Sequence, residues 1–421
     1  MGLELTLRSA QPEDLAQIVN LDRLAFAPLR TNAELEQEWY GGTIALPGRS
    51  LVLAVETATG QGVGSYAQIE LEIRFAGKDF PAMGIAAVAV APQRRGQQVA
   101  RVMLEQAITV ARSQHLPLIM LYPFQHGFYR RLGWVWVGQS HQYRVAARQL
   151  PLFGDRLKLY PYEPQHQAAV ERTYAAAMQN GWLQRQAWQW QDWQKPNKGL
   201  ERFVYLEGEP TASDALIAGY VVIQYAQLEP PRNLLAAIVR EWVALTPAAY
   251  RGILGFLGSL RDQVSPIVWN GPVQDPFPHL LTEQRQDPAL TAPELEFGLV
   301  HRFGTIGGGF MWRLVDLDQA FALRPIQSGV AFGLTFVVHD PILGDRTLSV
   351  EFGAGQMQVV DTQQATIVTC TIDQLTALFA GVRRATELLW TGELALTGDA
   401  QLLHHLDRAW QTTAPFCWDF F

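Results

Sequence analysis

Apolar and polar positions change period several times along the 421-residue chain, and each change marks an element. Residues 3–8 alternate as an edge strand. Pro12-Glu13-Asp14, after Ser9, has the signature of a helix start, with an early proline and negative charge in the first turn. Leu15, Ile18, Val19, Leu21 and Leu24 then form one apolar helical side. Residues 32–39 read as a second short helix bearing Glu34, Glu36 and Glu38. Strands are predicted at 50–56, 65–75 and 79–90, the middle one alternating at Ile69, Leu71 and Ile73. Pro92 ends the third. A basic turn, Gln93-Arg94-Arg95-Gly96-Gln97-Gln98, leads into a helix to residue 113, with Val99, Val102, Met103, Gln106, Ala107 and Val110 at helical period. A strand at 118–122, a helical stretch at 125–132 and a strand at 134–137 complete a mixed-sheet α/β unit of roughly 140 residues.

A second unit begins near Leu157 with the same strand-then-helix logic. Its Tyr162-Glu163-Pro164 mirrors the segment at 9–13, a hint of an internal repeat. Strands are predicted at 202–207, 218–224 and 234–246, then a helix at 250–263. Thr246-Pro247-Ala248-Ala249-Tyr250 opens that helix without a cation, so this copy is expected to be structurally required and catalytically silent. A Pro-, Gly-, Asp- and His-rich stretch at 270–293 marks the next boundary. Beyond it a helix is predicted to begin at Arg313. Strands follow at 333–338, 347–352, 356–360 and 366–371, with helices at 372–379 and 399–410, the last with Asp399 as N-cap. The reading is an α/β, or α+β, multidomain chain divided at 1–150, 151–292 and 293–421.

Composition narrows the function classes. Thirty-three Lys and Arg against forty Asp and Glu give a formal charge of −7, which disfavours bulk nucleic-acid binding. At 48% hydrophobic residues the chain can build large cores. Cys370 and Cys417 are far apart and lack metal-ligand spacing, so no metal is expected and a reduced, intracellular setting is. No secretory leader and no uninterrupted apolar run of membrane-spanning length is apparent, so a cytoplasmic protein without a membrane partner is expected. The 13 Trp residues are expected mainly as core or interface anchors.

The most informative stretch is the apolar strand, basic glycine turn and helix at 84–114. Free N–H groups at a helix start, with the helix dipole, favour an anion, and Arg94 and Arg95 add charge. An ordinary α/β crossover with a basic turn would have the same spacing. A single Gly96, with no Gly-Lys-Ser/Thr, excludes a nucleoside triphosphate loop. Gln93-x-x-Gly96-x-Gln98 resembles the pyrophosphate-binding turn of the GNAT N-acetyltransferases, with Gln98 in place of the usual Gly or Ala. Phe128-Tyr129-x-Arg131-x-Gly133-Trp134 resembles the corresponding segment of their enhanced intracellular survival (Eis) branch. So do the chain length, the layout and the aromatic C-terminus.

The resemblance implies tandem GNAT domains with a sterol-carrier-protein-like C-terminal domain. It implies acetyl-CoA as cofactor, held by Ile85, Ala86, Ala87 and Val88 along the strand and by Gln93, Arg94, Arg95, Gly96, Gln97 and Gln98 at the turn. Tyr129 would be the general acid, and the α-carboxylate of Phe421 the general base, with Asp419 or Glu38 as alternatives. Asp22, Phe26, Glu38 and Trp39 would contact the acceptor, since carboxylates beside aromatic rings suit a cation. The acceptor would be an amine of a cationic small molecule, a polyamine or aminoglycoside, or a lysine side chain. A homo-oligomer, as a hexamer, is implied as well. The competing reading is an inactive GNAT-fold binding protein with a lipid-carrier-like domain.

Overall fold

The structure, a computed structural model, describes residues 3–208, 216–227, 235–282, 303–327, 329 and 331–421. The first sheet runs β1 (Leu5–Ser9), β2 (Arg49–Glu56), β3 (Gly62–Phe75), β4 (Lys78–Val90) and β5 (Leu118–Leu121). Next comes Met311–Leu314, from far down the chain, and then β6 (Val135–Trp136). Helices α1 (Leu15–Phe26), α2 (Asn32–Leu35), α3 (Val99–Ser113) and α4 (His126–Arg130) accompany it. The helix α3 buries Val99, Met103, Leu104, Ala107, Ile108 and Ala111, a stripe at helical spacing. The predicted second helix is shorter: after Leu35 the backbone widens into a π-helical turn, Glu36–Tyr40, that ends at Gly41 with φ 60°.

The second sheet contains β7 (Gln139–Val145), β8 (Leu159–Pro161), β9 (Leu200–Glu207), β10 (Leu216–Gln227), β11 (Leu235–Ala244), β12 (Val264–Gly271) and β13 (Gly304–Gly308). Its spatial order is β13-β7-β12-β11-β10-β9-β8. Helices α5 (Gln167–Ala177), α6 (Ala187–Gln194) and α7 (Pro247–Ser259) belong with it. The hinted repeat is visible: a proline-initiated 3-10 turn precedes both α1 and α5. Residue 234, in a predicted strand, and part of the 270–293 boundary lie outside the described residues.

Met311–Leu314 is therefore β14, a strand of the first sheet, while β7 pairs in the second. Sheet membership crosses the division expected at residue 150. The predicted helix start at Arg313 is corrected by the same fact. The slot between β5 and β6 takes an extended segment, and every residue of β14 is buried. Arg313 is tolerated there because its guanidinium meets Asp340 at 2.6 Å and the carbonyls of Leu132 and Leu314 at 2.8 and 2.9 Å. The helix α8 (Leu317–Leu323) starts only after Asp316, whose carboxylate caps the Gln319 amide.

The third unit is a five-stranded sheet, β15 (Phe332–His339), β16 (Arg346–Gly353), β17 (Gln356–Val360), β18 (Ile367–Thr371) and β19 (Ala395–Thr397). Helices α9 (Ile372–Phe379), α10 (Ala385–Trp390) and α11 (Gln401–Ala409) pack on it. Its core is continuous with one face of β3 through Phe75, Phe80, Trp312 and Phe379. Asp399 accepts the Gln401 amide at 2.9 Å and so helps open α11.

Candidate active site

The strand β4 runs parallel to β5 only from Ala82 opposite Leu118 to Ile85 opposite Leu121. Beyond that point the two diverge. On its other side β4 carries a bulge: Ser65 faces Ala89 and Ala67 faces Ala86, so Ala87 and Val88 together oppose Tyr66. Ala87 sits at φ 49°, a left-handed conformation that a bulge demands and that re-aims the local backbone. Ile85 is buried, whereas Ala86, Ala87 and Val88 are partly open at the mouth of the divergence.

The turn after β4 is exposed from Pro92 to Gln98 except for Arg94. Gly96 takes φ 78° with open space around it, so its backbone can be approached closely. Gln98, at the position where the resembled motif has Gly or Ala, accepts φ 63° as the N-cap of α3. The first intrahelical bond runs from the Val102 amide to the Gln98 carbonyl, leaving the preceding amides without intrahelical acceptors. These features suit an anionic pyrophosphate. The two arginines differ, however: Arg94 is paired with the nearly buried Glu56 at 2.8 Å, so Arg95 is the turn's exposed cation.

The chain's last residues run into the divergence. The hydroxyl of Tyr122, the residue after β5, donates to the Asp419 carbonyl at 2.6 Å, and its ring lies 5.5 Å from that of Phe421. The Phe421 ring rests on Gly84: a Cβ there would be 2.9 Å from ring atom Cε2 and 2.8 Å from Leu71 Cδ1. A side chain at residue 84 would push against one or both of these groups. Phe420 stays exposed.

Asp419 is clamped from the second domain. Its carboxylate accepts from Arg185 Nε at 2.8 Å and from the Tyr174 hydroxyl at 3.2 Å. The rest of the Arg185 guanidinium forms a fork on Glu241 at 3.0 and 2.7 Å, and the Tyr220 hydroxyl donates to Glu241. Arg185 is buried, with its guanidinium 4.2 Å from the Tyr174 ring centroid and 4.8 Å from that of Trp190. One oxygen of Asp419 is thus held by Arg185, while the other shares the Tyr174 hydroxyl with the Leu183 carbonyl at 2.9 Å.

Tyr129, on α4, is 2% exposed and belongs to the same apolar cluster as Ile85, Ile119 and Leu121. Burial pushes its phenol above the ordinary value, so it stays protonated and can act only as a proton donor in the working range. Phe124, Phe128 and Trp134 ring it edge-on.

A cleft of about 1180 Å³ lies between the first and second domains, with Tyr122 and the tail along one side. Of the four residues expected to meet an acceptor, Glu38 lines it, and its carboxylate is 2.6 Å from Arg30. Phe26 and Trp39 pair at 6.3 Å and are not among the lining residues. Asp22 is buried elsewhere, accepts from the Tyr40 hydroxyl, and is pushed up to about 7 by burial. Sequence reading passed over Arg185, Glu241, Trp188, Trp193, Arg202 and Arg240, all of which line the cleft. The one available signal was Arg185 itself, a lone cation inside the tryptophan-rich run 182–193.

The second copy closes the equivalent helix start. The Thr246 side chain caps the Ala249 amide at 3.2 Å and donates to Glu207 at 2.8 Å, so part of the first turn is already occupied. Among the described residues no cluster of three or more His, Cys, Asp and Glu could hold a metal, and no helix is long and apolar enough to cross a membrane.

Family models described as acetyltransferase (GNAT) domains match residues 6–137 and 181–341, and a sterol carrier protein domain matches 317–418. The chain is a GNAT-fold, acetyl-CoA-dependent acetyltransferase with two GNAT domains and a C-terminal sterol-carrier-protein-like domain. Within that class it is related to the Eis family. It is 25% identical over 353 residues to N-acetyltransferase Eis of Mycobacterium tuberculosis and of Mycobacterium bovis, covering 80% of this chain and 79% of theirs. A GCN5-related N-acetyltransferase from Anabaena variabilis superposes with TM-score 0.82 at 20% identity, covering 99% of this chain and 100% of that one. Eis1 from Mycobacterium abscessus superposes with TM-score 0.76 at 19% identity, covering 99% of this chain and 100% of its own.

Proposed function

We propose that the chain transfers the acetyl group to the amine of a small molecule, with the α-carboxylate of Phe421 as general base and Tyr129 as general acid. The observation that carries this reading is the docking of Asp419 to Phe421 where β4 and β5 part. Acetyl-CoA supplies the activated acyl group. The turn from Gln93 to Gln98, without Arg94's charge, would hold its pyrophosphate, and the backbone of Ile85 to Val88 its pantetheine arm and acetyl carbonyl. The carboxylate takes the proton released by the attacking amine as the C–N bond forms. Tyr129 gives its proton to sulfur as the C–S bond breaks, and recovers one from solvent. Aligning amine and base against one strand is worth orders of magnitude in rate.

On family resemblance, polyamines and aminoglycosides belong in the acceptor panel and a homo-oligomer is proposed. Thiol release from acetyl-CoA with an amine panel tests the activity. Extending the chain by one or two residues after Phe421 should abolish most turnover while acetyl-CoA affinity stays within about threefold, since only the carboxylate moves out of alignment. Undiminished turnover of the extended chain would remove the terminal base. Acetyl-CoA binding without transfer to any amine would favour the inactive alternative.

A further inference from the structure

Acidic and basic side chains both line the cleft, and they differ in whether they are paired. On the tail side Arg185 is shared by Glu241 and Asp419, so carboxylates outnumber the cation before the Phe421 α-carboxylate is counted. Cations also line the cleft on β9 and β11, where Arg202 faces Val222, Val222 faces Glu241, and Arg240 precedes Glu241. Arg49 and Lys195 share Asp192 at 3.8 and 2.5 Å. Among the described residues neither Arg202 nor Arg240 has a carboxylate within ion-pair distance.

Both arginines are held in place without being neutralised. Arg202, opposite Val222 in the β9–β10 pairing, donates to the Trp193 carbonyl and to the Lys195 carbonyl at 3.0 Å, and lies 4.8 Å from the Trp193 ring centroid. Its Nε is buried and has no partner. Arg240 is the extra residue of a β11 bulge, since Val222 faces Glu241 and Ile223 faces Val239; its Nε donates to Gln224 at 2.9 Å. A guanidinium fixed by neutral acceptors keeps its charge and its remaining N–H groups for a planar anion.

We infer that the acceptor carries an anionic group, carboxylate or phosphate, as well as its amine, with the anion received by Arg202 and Arg240. The inference rests on the proposed amine transfer for the tail end of the cleft. A second cationic group placed at these two arginines would be repelled, because like charges repel strongly once desolvated.

Three series of matched chain length test it on the full-length enzyme with CoA bound: ω-amino carboxylates, aminoalkyl phosphates and diamines. Binding is read by calorimetry and transfer by thiol release. One or both anionic series should bind at least about tenfold more tightly than the diamines, a 1.4 kcal/mol step, and whichever series does so identifies the anion. Arg240→Gln and Arg202→Gln should each erase most of that preference with acetyl-CoA affinity unchanged. Arg240 is exposed, so its variant remains decisive if Arg202→Gln fails to fold. Diamines binding as well as the anionic series, or a preference surviving Arg240→Gln, would overturn the inference. Arginine-dependent binding without any transfer would fault the catalytic reading alone.

Discussion

Replacing Asp419 with Ala asks how much of the rate depends on the tail's seat. The change removes one charge-assisted bond, from Arg185 Nε at 2.8 Å, and a 3.2 Å contact from Tyr174, whose hydroxyl keeps the Leu183 carbonyl at 2.9 Å. Arg185 keeps its fork on Glu241, so no buried charge is stranded. The loss is therefore close to one charge-assisted hydrogen bond, about 1.5–3 kcal/mol. The Tyr122 bond is to the main-chain carbonyl of residue 419 and survives, as does the Phe421 seat on Gly84. If the lost energy falls on docking of the last residues, kcat drops by about 10- to 100-fold. The Michaelis constant for acetyl-CoA should stay within about threefold, because the pyrophosphate turn is untouched. Asp419→Asn should fall between the two, since an amide oxygen can still accept from Nε. Steady-state thiol release with the best amine, at saturating acetyl-CoA, measures both constants. A folded Asp419→Ala enzyme with kcat within about twofold of the parent would refute the clamp, that being too small for a lost charge-assisted bond. A parallel loss of acetyl-CoA affinity would place the damage in the first domain instead.

Tyr129→Phe should cut turnover by about 10²-fold with little change in melting temperature, the lower end of general acid catalysis. Wild-type turnover in the folded variant would assign the proton to another donor. Arg95→Glu combined with Gly96→Glu should raise the acetyl-CoA dissociation constant at least about tenfold, while Thr246→Glu in the second copy should leave it alone; calorimetry reads both. Asp22 offers a pH test of stability. Its folded value is raised to about 7, so the native state holds a proton that the unfolded chain has released. Its contribution is present below the ordinary carboxylate value and is lost as pH rises towards 7. Asp22→Asn should flatten that decline in urea titrations across the window, and an unchanged slope would show that Asp22 ionises freely.

The elements proposed to hold acetyl-CoA were legible because they are local. The apolar run ending at Pro92, the single Gly96 and the periodic face of α3 are contiguous, and the structure differs there by only a residue or so. The strands β7, β13 and β14 were not legible as members of their sheets. Pairing partners such as Met311 and Leu121 lie far apart in sequence, and periodicity says nothing about which sheet a strand enters. The helix predicted at Arg313 failed because a fully buried arginine gives a short strand a polar, helix-like pattern. The acceptor residues were only partly legible for a related reason. Asp22 and Glu38 were chosen as carboxylates near aromatic rings; Glu38 lines the cleft and is paired with Arg30, whereas Asp22 is buried away from it. Other charged lining residues come from β9, β11 and the α6 region, which only the packing of one domain on the other brings to the cleft.

The exchange of β7 and β14 makes the order of synthesis matter. While a ribosome makes the chain, β5 and β6 emerge early, yet the strand that separates them is translated only after the whole second domain. Until then Leu118 to Leu121, all buried in the finished protein, present an open apolar edge of the kind that invites pairing with another chain. Completion of the first sheet is therefore a late event in a nascent chain, and the intervening domain must fold while its predecessor waits. A gene fragment cut near residue 150 would encode β7 without its partners and β5 without β14, so the catalytic unit cannot be exchanged between proteins as a simple cassette.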